Sequence, residues 1–263
     1  MSEIESALLV FLLVLAATTV GVVLRPRLPE EHKADETVQL IQLVIGMLVT
    51  FAALVLGLLT AAAKDSFDTV AADFRQHAAQ LIQLDAQLRD YGPDTDVARR
   101  LLRDYTAAIV ASTWQEKNGR AENDGHNELP GQQLEDARLG QTLRAAGREV
   151  RRLEPRDTYH RKLADEALAS LIQLDHERWK LIEEARSSIS KPFFAMLTFW
   201  LMAIFLSFGL IAPRNALALV TITLGALSIA SAIYVIVDLE TPLSGSFSIS
   251  GEPMRDALAH LSR

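Results

Sequence analysis

Four stretches of this chain are long, apolar and free of Asp, Glu, Lys and Arg: residues 7–24, 38–63, 192–212 and 216–237. The hydrocarbon core of a bilayer is about 30 Å thick, so a helix of about 20 apolar residues can cross it. The pattern therefore predicts four membrane-spanning helices. Because only short connections separate the first pair and the last pair, we expect each pair to form a membrane hairpin.

A charge-rich block, residues 64–191, separates the two predicted hairpins. Its hydrophobic residues recur at helical spacing, which predicts a soluble insert built as a helical bundle. The sequence therefore predicts an all-α protein with four parts. They are a membrane hairpin (1–63), the helical insert (64–191), a second membrane hairpin (192–238) and a C-terminal tail (239–263).

The second apolar run continues into the insert without a proline, as far as the Gly92-Pro93 pair. Beyond residue 63 its apolar side chains follow a seven-residue repeat, which is typical of a helix that packs along one side. The repeat comprises Phe67, Phe74, Leu81 and Leu88, the offset positions Val70, Leu84 and Tyr91, and one polar member, His77. We therefore expect one continuous helix over residues 37–91, with His77 packed in its core.

Three further helices are expected in the insert. The first follows Gly92-Pro93 and has one face formed by Val97, Leu101, Tyr105, Ala108 and Ser112. The second, weakened by two glycines, covers residues 133–153. The last begins at Pro155 and has an apolar stripe formed by Leu163, Ala167, Leu171, Leu174, Leu181 and Ala185. We expect this last helix to run antiparallel to the long one, with Trp114 and Trp179 anchoring the insert's core.

Composition argues against several classes of function. The formal net charge is −7 and there is no basic cluster, which argues against nucleic-acid binding. With no cysteine, the chain has no disulfide, cysteine zinc site or thiol chemistry. The six histidines are dispersed, and no phosphate-binding loop or nucleophile elbow is present. Asp90, Asp94 and Asp96 lack EF-hand spacing, so helix capping is favoured over calcium binding. We expect no metal, no cofactor and no enzymatic activity.

The apolar runs also bear on transport. None of the four contains Asp, Glu, His, Lys or Arg. Ion-coupled carriers and proton pumps usually need such groups at membrane depth. The sequence therefore disfavours a carrier mechanism.

Small and polar residues recur at helical spacing along the second run: Gln39, Gln42, Gly46, Thr50, Ala53, Gly57, Thr60 and Lys64. One interpretation is a pore wall, in which hydroxyls and amides replace part of an ion's hydration shell. The other is close helix packing, which small residues four apart promote in membranes. If the helix lines a pore, the predicted lining residues are Thr50, Ala53, Leu54, Gly57, Thr60 and Lys64, with Leu54 at the narrowest ring.

Several segments along the chain resemble the bacterial bestrophin-like family. They are LGLLTAAAKDSFD (56–68), RLPEEH (27–32), YGP (91–93), SSISKPF (187–193), FGLIAPRN (208–215), LETPLSG (239–245) and RDAL (255–258). In bestrophins, to which that family is similar, a pentamer of four-span subunits conducts anions and the second span lines a hydrophobic neck. This chain departs from them in one respect, because Phe51 is the only aromatic residue in its second span.

The resemblance leads to our functional hypothesis, an oligomeric multi-pass membrane protein that acts as a bestrophin-like ion (anion) channel. Its partners would be the lipid bilayer, ions and other copies of the chain in a homo-oligomer, a pentamer if it follows bestrophins. The alternative is a non-conducting membrane scaffold or sensor whose helical insert binds a partner.

The expected location is the inner (plasma) membrane, and the charges of the short connections bear on its orientation. Arg25, Arg27, Lys33 and Arg214 lie in them, and the positive-inside rule assigns such loops to the cytoplasm. That places the insert on the extracytoplasmic side. Basic residues at the insert's own membrane ends, such as Lys64, favour the opposite orientation.

Overall fold

The computed structural model describes residues 3–27, 35–115, 137–186, 191–213, 215–243 and 245–263. Within those ranges the chain forms eight α-helices joined by turns. They are α1 (Glu3–Leu24), α2 (Asp35–Tyr91), α3 (Asp96–Val110), α4 (Ala137–Arg151), α5 (Thr158–Arg186), α6 (Lys191–Ile211), α7 (Ala216–Leu239) and α8 (Glu252–Leu261). Lys33, Arg214 and the first residues of the predicted helix 133–153 lie outside the described residues. The prediction of a helical protein is confirmed for the described part.

The chain divides into two compact units. One consists of Met1–Asp65 and Ser188–Glu240, and the other of Ser66–Ser187 and Thr241–Arg263. We call them the membrane unit and the insert unit. Helix α2 contributes to both, because it runs without interruption for 57 residues and is about 85 Å long at 1.5 Å per residue. The prediction of one continuous helix over residues 37–91 is confirmed.

The membrane unit contains α1, the first part of α2, α6 and α7. Each of these four helices is long and apolar enough to cross a bilayer. All four contribute buried side chains to one apolar core: Val10, Val14, Ile45, Ala52, Leu59, Ala63, Leu197, Leu201, Ile204, Phe205, Ala226, Ile233 and Ile236. The helices begin and end within a few residues of the predicted apolar runs, except that α2 continues beyond residue 63. That they form two membrane hairpins stays a prediction.

Helices α1 and α6 meet at two glycines. A Cβ atom added to Gly21 would lie 2.9 Å from the backbone nitrogen of Leu210, and one added to Gly209 would lie 3.1 Å from the Cα atom of Gly21. The two backbones can approach this closely only because neither residue has a side chain. Lipid is as apolar as leucine, so membrane helices depend on such close packing for their association.

Polar contacts fix the end of the membrane unit at which α1 and α6 finish and α7 begins. The Arg25 guanidinium donates Nη1–H to the carbonyl oxygen of Ala212, just beyond the last turn of α6. Carbonyl groups at a helix C-terminus have no partner within the helix, so this bond satisfies one of them. Asn215 caps α7, because its side-chain oxygen accepts a hydrogen bond from the Ala218 nitrogen at 2.8 Å. We call this the loop end of the membrane unit.

The seven-residue repeat of α2 packs in the core of the insert unit, as predicted. Its buried members are Val70, Phe74, His77, Leu81, Leu84, Leu88 and Tyr91, and Phe67 is partly buried against them. The Nε2 atom of His77 lies 3.0 Å from the hydroxyl oxygen of Tyr105. Burial raises the pKa of the Tyr105 hydroxyl, which therefore keeps its proton. The prediction that His77 is a packed core residue is confirmed.

Helix α5 runs antiparallel to α2, as the sequence predicts. Near one end of the pair, Lys180 Nζ lies 3.0 Å from Asp73 Oδ1. Near the other end, the rings of Tyr91 and His160 meet edge to face with centroids 5.3 Å apart. Residue numbers therefore fall along α5 as they rise along α2. Every member of the predicted α5 stripe is buried: Leu163, Ala167, Leu171, Leu174, Leu181 and Ala185.

The predicted face of α3 is only partly right. Tyr105 is buried and Leu101 partly buried, but Val97 and Ala108 are exposed. The buried side includes instead Ala98, Leu102, Thr106, Ile109 and Val110, so it is rotated and wider than the predicted one. Thr106 can be buried at little cost, because its hydroxyl donates to the Leu102 carbonyl oxygen at 2.9 Å.

The two tryptophans of the insert have different environments. Trp114 packs edge to face against Phe74, with ring centroids 5.1 Å apart, and donates its indole N–H to the Ile249 carbonyl oxygen at 2.9 Å. Trp179 is 50% exposed, so the prediction that it anchors the core is wrong. Arg178 takes the inward position on that turn of α5, with its guanidinium carbon 5.4 Å from the centroid of the Trp179 ring.

The C-terminal residues 241–263 pack into the insert unit. Helix α8 buries one side, formed by Met254, Ala257 and Leu261. A Cβ atom added to Gly251 would lie 2.7 Å from a ring carbon of Trp114, so the chain passes the indole at a distance that requires glycine. The tail is therefore part of the insert's core rather than a free extension.

Replacing Gly21 by alanine should lower the thermal stability of the protein, because the new methyl group must push α1 and α6 apart. Overpacking of this kind costs about 1–3 kcal/mol, which corresponds to a fall of roughly 3–10 °C in the unfolding temperature. Circular dichroism in detergent during heating measures this change. Gly46→Ala is the matched control, since nothing lies within 4 Å of a Cβ atom there. Equal unfolding temperatures for the two variants would contradict the close contact.

Candidate functional site

The first part of α2 has one buried side within the membrane unit. Ile45, Ala52, Leu59 and Ala63 are buried there among side chains of the neighbouring helices. These positions are seven, seven and four residues apart, which places them on one side of a helix. The opposite side of α2 is therefore available for other contacts.

All six predicted lining residues lie away from that buried side and are exposed in the single chain: Thr50, Ala53, Leu54, Gly57, Thr60 and Lys64. Leu54 is 60% exposed, a high value for a leucine in a structured helix. That they line a pore stays a prediction. The structure places them on the accessible part of the helix, as a pore wall would require.

The six residues do not point in one direction. At about 100° per residue, the direction opposite the buried side passes between Thr50 and Leu54, and Gly57 lies about 45° from it. Ala53 and Thr60 lie roughly at a right angle to that direction, on one flank of the helix. Thr50, Leu54 and Gly57 are therefore the better candidates for a surface turned away from the membrane unit.

Ala61 also belongs to that surface, and the sequence reading missed it. It is exposed, seven residues after Leu54 and four after Gly57, and at about 100° per residue it points almost directly away from the buried side. The signal available in the sequence was the spacing i, i+4, i+7, i+11 from Thr50. Ala61 lies in a run of three alanines and is not polar. The pattern of small and polar residues therefore selected Ala53 and Thr60, which lie on the flank.

The two glycines of α2 do not serve close packing within the described part of this chain. Nothing lies within 4 Å of a Cβ atom added to Gly46 or to Gly57. The glycines thus differ from Gly21 and Gly209, at which two backbones touch. A contact that exploits the small side chains of α2 would need another copy of the chain, lipid or water.

The hydroxyls of Thr50 and Thr60 use their protons within the helix. Thr50 donates to the Gly46 carbonyl oxygen at 2.9 Å, and Thr60 donates to the Leu56 carbonyl oxygen at 2.8 Å. Each hydroxyl therefore presents lone pairs, and not a donor, to whatever lies beside it. Lone pairs suit a cation or a water molecule, whereas an anion needs donors or positive charge.

Large apolar side chains cover the other flank of the exposed surface. Leu40, Phe51 and Leu58 lie on that flank, whereas Leu43 and Met47, seven and three residues before Thr50, lie on the outward side itself. Each of the five is more than half exposed. In water such a strip would be unfavourable, since burial of apolar area is worth about 25 cal/mol per Å². It therefore faces lipid or another protein chain.

No group of three potential metal-binding side chains occurs among the described residues. Of the acidic residues near the turn after α2, Asp94 is paired with Arg156 at 2.8 Å. Thr95 shapes the same turn, because its hydroxyl donates to the Leu88 carbonyl oxygen at 2.6 Å. Asp94 thus forms a surface ion pair with Arg156.

The chain combines a helical membrane unit with a helical insert, and both can be compared with known proteins. The sequence matches the Bestrophin-like domain family over residues 12–254. This chain belongs to the Bestrophin-like domain family. Among curated proteins, none matches this bestrophin-like chain.

Solved structures of a bacterial Bestrophin homolog from Klebsiella pneumoniae are similar to this bestrophin-like protein over its whole length. One has a TM-score of 0.66 at 16% identity, covering 100% of this chain and 99% of the homologue. A second has a TM-score of 0.64 at 17% identity, covering 100% and 98%. A third has a TM-score of 0.62 at 16% identity, covering 99% and 97%. At such identities the similarity establishes the fold.

Proposed function

We propose that this bestrophin-like protein is an oligomeric ion channel of the inner membrane, in which α2 of each copy faces a central path. The observation that carries the proposal is the exposure of Thr50, Leu54 and Gly57 opposite the buried side of α2. A bilayer-spanning helix gains nothing by presenting hydroxyls and bare backbone to lipid, but a water-filled path can solvate them. Family membership and the shared fold support the same function.

The oligomer consists of copies of this chain, and we propose five, the number that the resemblance to bestrophins implies. Two flanks of α2 remain exposed in one copy, one with large apolar residues and one with small residues. In a closed ring the large flank of one copy can pack against the small flank of the next. Such an arrangement explains why Ala53 and Thr60 are small without requiring them to line the path.

Leu54 forms the narrowest ring of the proposed path. Among the four residues between Thr50 and Ala61 that point most directly away from the buried side, it is the only large one; the others are Thr50, Gly57 and Ala61. Leu43 and Met47 point the same way nearer the loop end. A ring of leucines leaves a constriction without polar groups, and water leaves such a constriction readily. The leucine ring is thus the gate of this channel.

Ion preference depends on Lys64 in this proposal. The hydroxyls of Thr50 and Thr60 donate within the helix and so offer no proton to an anion. Lys64 is exposed at the end of the apolar run, where a ring of ammonium groups would raise the local concentration of anions. We therefore propose an anion preference set at the mouth and not in the constriction.

Replacing Leu54 by alanine should raise the single-channel conductance by about twofold or more, because a wider and less apolar ring is wetted more readily. Planar bilayers containing the reconstituted protein measure it. Val55→Ala is the matched control, since Val55 is half-buried against the core of the membrane unit and should leave the conductance unchanged. Gly57→Leu should abolish the current by narrowing the path.

Oligomer formation must be measured for each variant, by cross-linking or mass photometry in mild detergent. An intact oligomer that carries no current at any voltage, pH or divalent-ion concentration would refute the channel. The protein would then be a non-conducting scaffold or sensor whose insert binds a partner. A larger conductance for Val55→Ala than for Leu54→Ala would refute the assigned orientation of α2.

Replacing Lys64 by glutamate should weaken the preference for anions and shift the reversal potential in a salt gradient toward the cation value. The effect should shrink as salt rises, because the Debye length falls from about 10 Å at 0.1 M to about 3 Å at 1 M. Reversal potentials in potassium chloride gradients test this. Asp65→Asn, one position further round the helix, is the comparison that leaves Lys64 in place.

The side of the membrane on which the insert lies stays a prediction from the positive-inside pattern. The chain has no native cysteine, so a single cysteine at the exposed Ile172 gives an unambiguous probe. An extracytoplasmic insert predicts labelling of intact cells by a membrane-impermeant maleimide. Labelling only after permeabilisation would assign the insert to the cytoplasm.

A further inference from the structure

An open groove with apolar walls lies at the loop end of the membrane unit, between α2, α6 and α7. Its volume is about 660 Å³. Its walls include Gly46 from α2, Phe205 and Phe208 from α6, and Leu217 and Gly225 from α7. Gln42, Ala212 and Asn215 also line it.

The groove extends about as deep as one leaflet of a bilayer. Gly225 is nine residues beyond the start of α7 at Ala216, which is about 14 Å along the helix at 1.5 Å per residue. Phe205 is six residues before the end of α6 at Ile211, or about 9 Å. Half of a 30 Å hydrocarbon core is about 15 Å. The groove thus begins at the level of the loops and ends near the middle of the membrane.

The depth and the lining of the groove suit a hydrocarbon chain. Phe205, Phe208 and Leu217 present apolar surface along it. The acyl chain of one leaflet extends to the middle of the bilayer, which is also the depth of the groove. A transmembrane helix of a second copy is the competing occupant.

A cation stands at the outer end of the groove. The Arg25 guanidinium donates one N–H group to the carbonyl oxygen of Ala212, and Ala212 lines the groove. The guanidinium has five N–H donors, and among the described residues this is its one hydrogen bond. Among the described residues, no carboxylate lies within ion-pair distance of Arg25. The arrangement thus combines an apolar channel for a chain with a fixed cation at the depth of the head groups.

We propose that this groove binds one anionic phospholipid per chain, with an acyl chain between α6 and α7 and the phosphate on Arg25. Guanidinium and phosphate groups match in charge and in paired hydrogen-bond geometry, which makes arginine a favoured phosphate ligand. The bound lipid fills space that no described side chain of the membrane unit occupies. The site depends on the unit lying in a bilayer and is independent of whether the oligomer conducts ions.

The test measures lipid bound to the full-length oligomer in mild detergent by native mass spectrometry, with phosphatidylglycerol and phosphatidylcholine as probes. The native protein should retain phosphatidylglycerol at least about fivefold more strongly than phosphatidylcholine, since one arginine near a membrane surface contributes about 1 kcal/mol toward an anionic lipid. Arg25→Gln should abolish that preference, and Arg25→Lys should keep most of it. Arg27→Gln is the matched control, because Arg27 bonds to Val23 on its own helix and does not line the groove.

A second variant tests the acyl-chain site without touching the charge. A Cβ atom added to Gly225 meets only the tip of Phe205, at 3.9 Å, so Gly225→Leu adds its side chain to the groove without a clash at the Cβ position. It should reduce retention of both lipids at least fivefold, whereas Ser228→Leu, exposed on the same helix and outside the groove, should not. Equal retention of the two lipids by the native protein, or unchanged retention in both Arg25→Gln and Gly225→Leu, would overturn the proposal. Monomers in Gly225→Leu with lipid retention unchanged would show that a second copy occupies the groove.

Discussion

Within each unit, side chains along one side of α2 pack against the other helices of that unit, and the unit is arranged around that packing. In the insert unit the buried positions recur every seven residues, at Val70, His77, Leu84 and Tyr91. In the membrane unit Ile45, Ala52 and Leu59 are buried at the same spacing. A straight helix with 3.6 residues per turn keeps such a repeat on nearly the same side, with a drift of about 20° per heptad. Because one side is buried, the opposite side is exposed over the length of the span. The proposed function depends on that exposed side.

The four membrane helices are held in two physically different ways. Helices α1 and α6 touch backbone to backbone at Gly21 and Gly209, where any side chain would clash. Helix α2 instead reaches the core through the side chains of Ile45, Ala52 and Leu59, with its glycines left uncovered. Side-chain contacts keep helix axes further apart, and an open groove beside α2 is the result. Helices α1 and α6 thus form a tight pair, whereas α2 has surface available for other copies of the chain and for lipid.

Polar chemistry is sparse in the membrane unit and is placed at its ends. Within the spans the hydroxyls of Thr50 and Thr60 are already bonded to their own helix. Positive charge lies beyond the apolar runs, at Arg25 on one end and Lys64 on the other. In a low-dielectric medium a charge is costly unless it is solvated or paired, which explains both placements. The proposed channel would therefore discriminate between ions at its mouth, since the exposed side of α2 has few groups that could do so.

Sequence patterns are enough to predict the helices, their order and, for most of them, which side is buried. Those features follow from local properties: the length of an uncharged run, the absence of proline, and a spacing of apolar residues that matches the period of the helix. The sequence also supplied the candidate residues Thr50, Leu54 and Gly57, because their spacing is visible along the chain. Tertiary structure alone decided what depends on residues distant in sequence. The contact of Gly21 with Gly209, the packing of Gly251 on Trp114 and the groove below Arg25 involve helices that only the fold brings together. The rotation of the buried side of α3 and the exposure of Trp179 were decided there as well, because they depend on the positions of the neighbouring helices.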